Sequence, residues 1–98
     1  MKAKVYFSRN LTPETVVSLC RMAGKELPGK VAVKLHSGEV GNQNFLKPDF
    51  WKPAVEMVNG TVVECNTAYA GERDSTEKHV KTLEKHGWTR YFTVDLLD

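Results

Sequence analysis

Ninety-eight residues, 41% hydrophobic and 27% charged, describe one ordinary globular domain, because a chain of this length buries a single core and seldom divides. Fourteen Lys and Arg against twelve Asp and Glu leave a formal charge of only +2, and the two signs are interspersed, which argues against an electrostatic nucleic-acid binder. No run approaches the about 18 consecutive apolar residues of a membrane span, and the start lacks the apolar stretch and cleavage site of a secretory signal, so the cytoplasm is the expected compartment.

In chain order, KVYF (Lys4 to Phe7) is rich in strand formers and reads as a first strand. Thr12 and Pro13 then form a helix start, N-cap followed by proline at the first helical position. Val16, Leu19, Ala23 and Leu27 recur at spacings of three and four on one face of that helix, which Pro28 and Gly29 stop. KVAVKL (Lys30 to Leu35) is a second strand. In PDFWKPAVEMVNG, Pro53 lacks the donor that a helix begun at Pro48 would need, so the expectation is a turn from Pro48, a helix from near Pro53, and a stop at Asn59 and Gly60.

TVVEC (Thr61 to Cys65) is a third strand and NTAYAGERD a polar loop. STEKHVKTLEKHG follows as a helix capped by Asp74 or Ser75, with Val80 and Leu83 as its apolar stripe and Gly87 as its stop. RYFTV, with its strand core at Tyr91 to Val94, is a fourth strand. The fold class is therefore α/β, a βαβαβαβ single domain over residues 1–98 with a mainly parallel four-stranded sheet and helices on its faces.

In parallel sheets, ligands bind beyond the carboxyl ends of the strands where strand order reverses, and a reversal beside the second strand is expected here. Two polar loops leave from those ends. One carries His36, Ser37, Gly38, Glu39 and Asn42; the other carries Asn66, Thr67, Tyr69 and Arg73; the fourth strand delivers Asp95. Lys34 and His36, two residues apart, emerge on one face of the second strand, opposite Val33 and Leu35. A lysine inside an apolar parallel strand must find an anion or escape to solvent.

Several readings stay open for these residues. As catalytic groups, His36 suits proton transfer near neutral pH, and Glu39 either orients it or binds a cation with Asn42 and Asp95. Lys34 and Arg73 suit a carboxylate or phosphate. Equally, His36 can be a strand-end histidine with a structural hydrogen bond, Tyr69 and Arg73 can pack and cap their loop, and Gly38 and Gly41 can serve the turn alone. Neither the Rossmann nor the Walker glycine pattern is present. His79 and His86, seven apart, read as a solvated face, and Trp51 and Trp88 as core. Cys20 and Cys65 sit in apolar surroundings and read as buried free thiols. No CxxC occurs, so the chain offers no recognisable iron-sulfur or zinc ligand set and its cofactor is open.

The runs VAVKLHSGEVGNQNFLKPDFWKP and CNTAYAGERDSTEKHVKTLEKHGWT carry a family resemblance over nearly the whole chain. Their most specific pieces are Lys34, His36, Gly38 and Glu39, the spacing from Pro48 to Pro53, and Asn66, Thr67, Tyr69, Gly71 and Arg73. In these it resembles the amino-terminal part of the uncharacterised iron-sulfur center proteins, domain of unknown function family 362. The resemblance implies a parallel α/β half-domain with site loops at one edge, cut from a longer domain whose cluster cysteines lie elsewhere. Three functions follow as expectations: a ligand or anion site at the ends of the second and third strands, a small metal- or phosphate-dependent enzyme using His36 and Glu39, or an assembly module without chemistry. A homo-oligomer is also expected, pairing through the C-terminal strand or the sheet edge beside it, since Tyr91, Phe92, Val94, Leu96 and Leu97 crowd the last eight positions and only about half can face the chain's own core.

Overall fold

A computed structural model describes residues 2–97. The first helix, α1 (Pro13–Ala23), starts as its sequence dictates, with Thr12 Oγ1 accepting from the Thr15 N–H at 3.1 Å. It stops one turn earlier than the apolar spacing predicts. Gly24 takes a left-handed conformation and its N–H closes on Cys20 O at 3.1 Å, so Leu27 is left outside and exposed. No residue of α1 is buried, and Cys20 is exposed rather than a core thiol.

The sheet has three parallel strands, β1 (Val31–Lys34), β2 (Gly60–Glu64) and β3 (Val94–Leu96), in that spatial order. The expected second, third and fourth strands are thus present, whereas Lys4 to Phe7 joins no ladder and the four-stranded arrangement does not form among the described residues. Strand propensity is realised only against a partner strand, and this segment has none here. β3 also begins later than expected. A 3₁₀ turn at Trp88–Arg90 draws the Tyr91 and Phe92 N–H groups onto Trp88 O, so the chain is still turning where the apolar run begins.

Val33, Val62 and Val94 lie side by side in register and face the helices. Leu35, Val55, Val62, Leu83 and Trp88 make the core, with Trp51, Phe92 and Leu96 packed against it. Right-handed crossovers in an unreversed order place both connecting helices on one face, and Val55 and Leu83 accordingly join Val62 in one core cluster. The expected reversal of strand order is absent from this sheet, but the carboxyl ends of β1 and β2 still lie together.

Helix α2 (Pro48–Met57) begins at Pro48 and runs through Pro53. Pro53 removes one early helical bond, to Asp49 O, and the burial of Val55 with half-buried Trp51 outweighs it. Helix α3 (Thr76–Lys85) is capped by Ser75, whose Oγ accepts from the Lys78 N–H. Its buried face is His79, Thr82 and Leu83, whereas Val80 is exposed. The solvated-face reading of His79 is therefore overturned.

Candidate functional site

The two polar loops meet on a residue that their own sequences do not contain. Glu64 closes β2 with its side chain only 3% exposed, and its carboxylate gathers donors from three directions. Lys34 Nζ, at the end of β1, donates to Oε1 at 2.5 Å, and the Cys65 N–H reaches the same oxygen at 3.2 Å. Oε2 accepts from the Ser37 N–H (3.1 Å), the Ser37 hydroxyl (2.8 Å) and Arg73 Nη1 (3.1 Å). Burial alone would push this carboxyl up, but the bonds from Lys34, from Ser37 and from the Cys65 amide overcome that and hold it at about 2. Glu64 is a permanent anion that fastens the loop after β1 to the loop after β2.

Ser37 is spent in the same way. Its carbonyl accepts from Trp88 Nε1 and faces His86 Nδ1, both at 2.9 Å. Its hydroxyl lies 3.2 Å from His79 Nε2, and His79 Nδ1 lies 3.0 Å from Asn66 Oδ1. That order, hydroxyl to imidazole to amide, has the connectivity of a nucleophile, a base and an orienting group. The burial rules the role out: Ser37 is 1% exposed, His79 is 0% exposed, and the Ser37 proton is committed to Glu64.

Toward solvent the network ends in charged groups. Arg73 is buried; Nη2 donates to Glu39 Oε1 and to Tyr69 Oη (3.2 Å), and Tyr69 Oη–H donates to the same Glu39 oxygen at 2.6 Å. These bonds from Arg73 and Tyr69 hold the Glu39 carboxyl below its ordinary range. Arg73 Nε is buried without an acceptor among the described residues. His36 is exposed, and its Nδ1 accepts the Gly38 N–H at 2.9 Å, so the ring proton sits on Nε2, 3.5 Å from Arg73 Nη2, donor facing donor. Lys34 keeps 57% of its side chain in solvent.

Of the residues that the sequence singles out, Lys34, His36, Glu39, Tyr69 and Arg73 converge. Gly38 serves the turn: at φ 92° it is left-handed, and a Cβ would lie 2.6 Å from the Phe45 ring. Asn42 is diverted into its own loop, its N–H to Glu39 O and its Oδ1 to the Asn44 N–H. Asn66 ties the loop to α3 through Thr76 and His79. Thr67 braces the loop from within, its N–H to Arg73 O and its hydroxyl to Tyr69 O. Asp95 stands inside β3 opposite Val63 and does not reach the cluster.

Glu64 is the member that the candidate residues missed, and Ser37, placed by the sequence in the loop after the second strand, was given no role there. The signal for Glu64 was present: a glutamate in an apolar strand needs a partner as much as Lys34 does, and strands flanking one helix are neighbours. Among the described residues no group of three or more His, Cys, Asp or Glu side chains converges as a metal site. Comparison with family models, curated proteins and solved structures returned no match.

Proposed function

We propose that this chain is a small α/β binding module that takes an anionic ligand at the carboxyl ends of β1 and β2. The observation that carries the reading is the pair Lys34 and Arg73. Both grip the Glu64 carboxylate, one from each loop, yet each retains donors directed at the rim. Lys34 has two further N–H donors on a half-solvated ammonium, and Arg73 Nη2 opens onto partly exposed Glu39 and onto exposed Tyr69 and His36. The resemblance to the amino-terminal part of iron-sulfur center proteins rests on many of the same residues, which supports a shared ligand role for them. It also underlies our proposal that the module is one portion of a longer domain in which any cluster ligands are supplied from outside the residues seen here.

The enzyme reading is weaker on charge grounds. A carboxyl held low by Arg73 and Tyr69 is a poor proton acceptor for Glu39 to offer, and the guanidinium beside it repels a cation. A second reading, self-association, is favoured by apolar side chains left in solvent, Val5 at 87% and Phe7 at 81% exposure. The anion reading is tested by following backbone amide shifts at constant ionic strength while inorganic phosphate or malonate is added. Lys34→Ala and His36→Ala are each expected to weaken saturable binding at least threefold, with melting temperatures within a few degrees of the parent. Unchanged binding in both variants overturns the reading.

A further inference from the structure

We infer that Glu39 sits in the ligand's own seat, and that the ligand is a small dicarboxylate which displaces it. This deepens the anion reading above and rests on it. Three features select Glu39 from the other carboxylates of the network. Its Oε1 receives two converging donors, Arg73 Nη2 and Tyr69 Oη–H, the arrangement that a bound carboxylate would receive. Its side chain is 38% exposed where that of Glu64 is 3%, so one carboxylate can leave for water and the other cannot. It also stands in a turn with left-handed glycines on both sides, Gly38 at φ 92° and Gly41 at φ 84°, where the backbone is carried away from the strand end by its own geometry rather than by Glu39.

The choice of a dicarboxylate follows from Lys34. Lys34 Nζ and Arg73 Nη1 bind the two oxygens of one carboxylate, Glu64, which fixes the ammonium and the guanidinium within the width of a carboxylate and two hydrogen bonds. A first ligand carboxylate would replace Glu39 on Arg73 Nη2 and Tyr69. A second, a short spacer away, would reach the solvated side of Lys34. His36 Nε2–H, which faces a donor while Glu39 holds the seat, gains an acceptor when the ligand displaces it. No covalent step is involved.

The experiment titrates the full chain with sodium malonate and with sodium acetate, at fixed ionic strength, reading amide shifts of residues 34–39 and 66–73. Glu39→Ala is expected to tighten malonate binding at least fivefold, and Glu39→Gln at least threefold. Malonate should bind Glu39→Ala at least threefold more tightly than acetate does, and adding Lys34→Ala should remove that preference. Glu56→Ala, on the exposed side of α2, raises net charge equally and is expected to change nothing. If the parent binds malonate at these loops and Glu39→Ala binds it no more tightly, or Glu56→Ala tightens it as much, the displaced-seat inference is overturned while the anion site stands. If malonate and acetate bind Glu39→Ala equally, the dicarboxylate assignment falls. No saturable binding in parent or variants overturns both.

Discussion

Glu64 is where charge, burial and loop geometry meet, and its removal has an asymmetric cost. Taking the carboxylate away leaves buried Arg73 with Glu39 as its only anion and Nη1 without its acceptor, and leaves the Ser37 hydroxyl and amide without theirs. Breaking one partner of a buried ion pair costs about 3–5 kcal/mol, against a total stability of about 5–15 kcal/mol for a domain. Glu64→Ala is therefore expected to shift the urea midpoint severely, whereas Lys34→Ala, whose ammonium is half in solvent, should cost about 1 kcal/mol or less. The sign of the pH effect follows from the lowered carboxyl. Its folded value of about 2 lies below the ordinary 4.5, so its contribution is fully present above the unfolded value and is lost as pH falls through the window between the two. Urea midpoints measured from pH 6 down to pH 2 should fall steeply in the parent over that window and less steeply in Glu64→Gln; identical slopes would remove Glu64 as the group responsible.

At the scale of elements, the turn after β1 is the most constrained piece of the fold. Gly38→Ala must adopt a left-handed backbone and also displace the Phe45 ring, which stacks on His86 at 4.4 Å. Gly41→Ala meets only the backbone penalty, because nothing lies within 4 Å of its added Cβ. The expected losses are about 2–4 kcal/mol and about 1–2 kcal/mol respectively, read as thermal unfolding shifts; equal losses would show that the Phe45 contact does not constrain the turn. Much of this scale was legible in the residues. Thr12 and Ser75 cap as their types predict, and Lys34 and His36 leave β1 on the face opposite Val33 and Leu35. Two misreadings share a cause, which is that a local rule, hydropathy for α3 and the missing proline donor for α2, stands in for packing. Helix α3 turns His79 and Thr82 inward because Ser37, Asn66 and the Glu72 carbonyl wait there as partners, so its buried face is offset from the apolar one. Helix α2 passes through Pro53 because core contacts outweigh one lost bond.

Across the whole molecule, the chain is more extended than its length calls for. The radius of gyration is 14.9 Å, where a compact domain of this size has about 13 Å. Helix α1 contributes no buried residue, and the Val5, Tyr6 and Phe7 side chains line an open groove with Leu19 and Met22. Sheet edges β1 and β3 are open among the described residues. The expected crowding at the carboxyl end is partly relieved, since Phe92, Val94 and Leu96 pack on the core while Tyr91 and Leu97 stay exposed. We therefore place the proposed self-association at the amino-terminal segment: sedimentation over a hundredfold concentration range should show mass rising above 11.0 kDa, and Val5→Ser with Phe7→Ser should abolish the rise without lowering the melting temperature. A constant monomer mass in the parent would remove the proposal. The anion site is tested most directly by a crystal structure of the full chain grown with malonate. The account predicts one malonate carboxylate on Arg73 Nη2 and Tyr69 Oη, the other against Lys34, and Glu39 turned out to solvent; Glu39 still on Arg73, with malonate bound elsewhere or not at all, would contradict it.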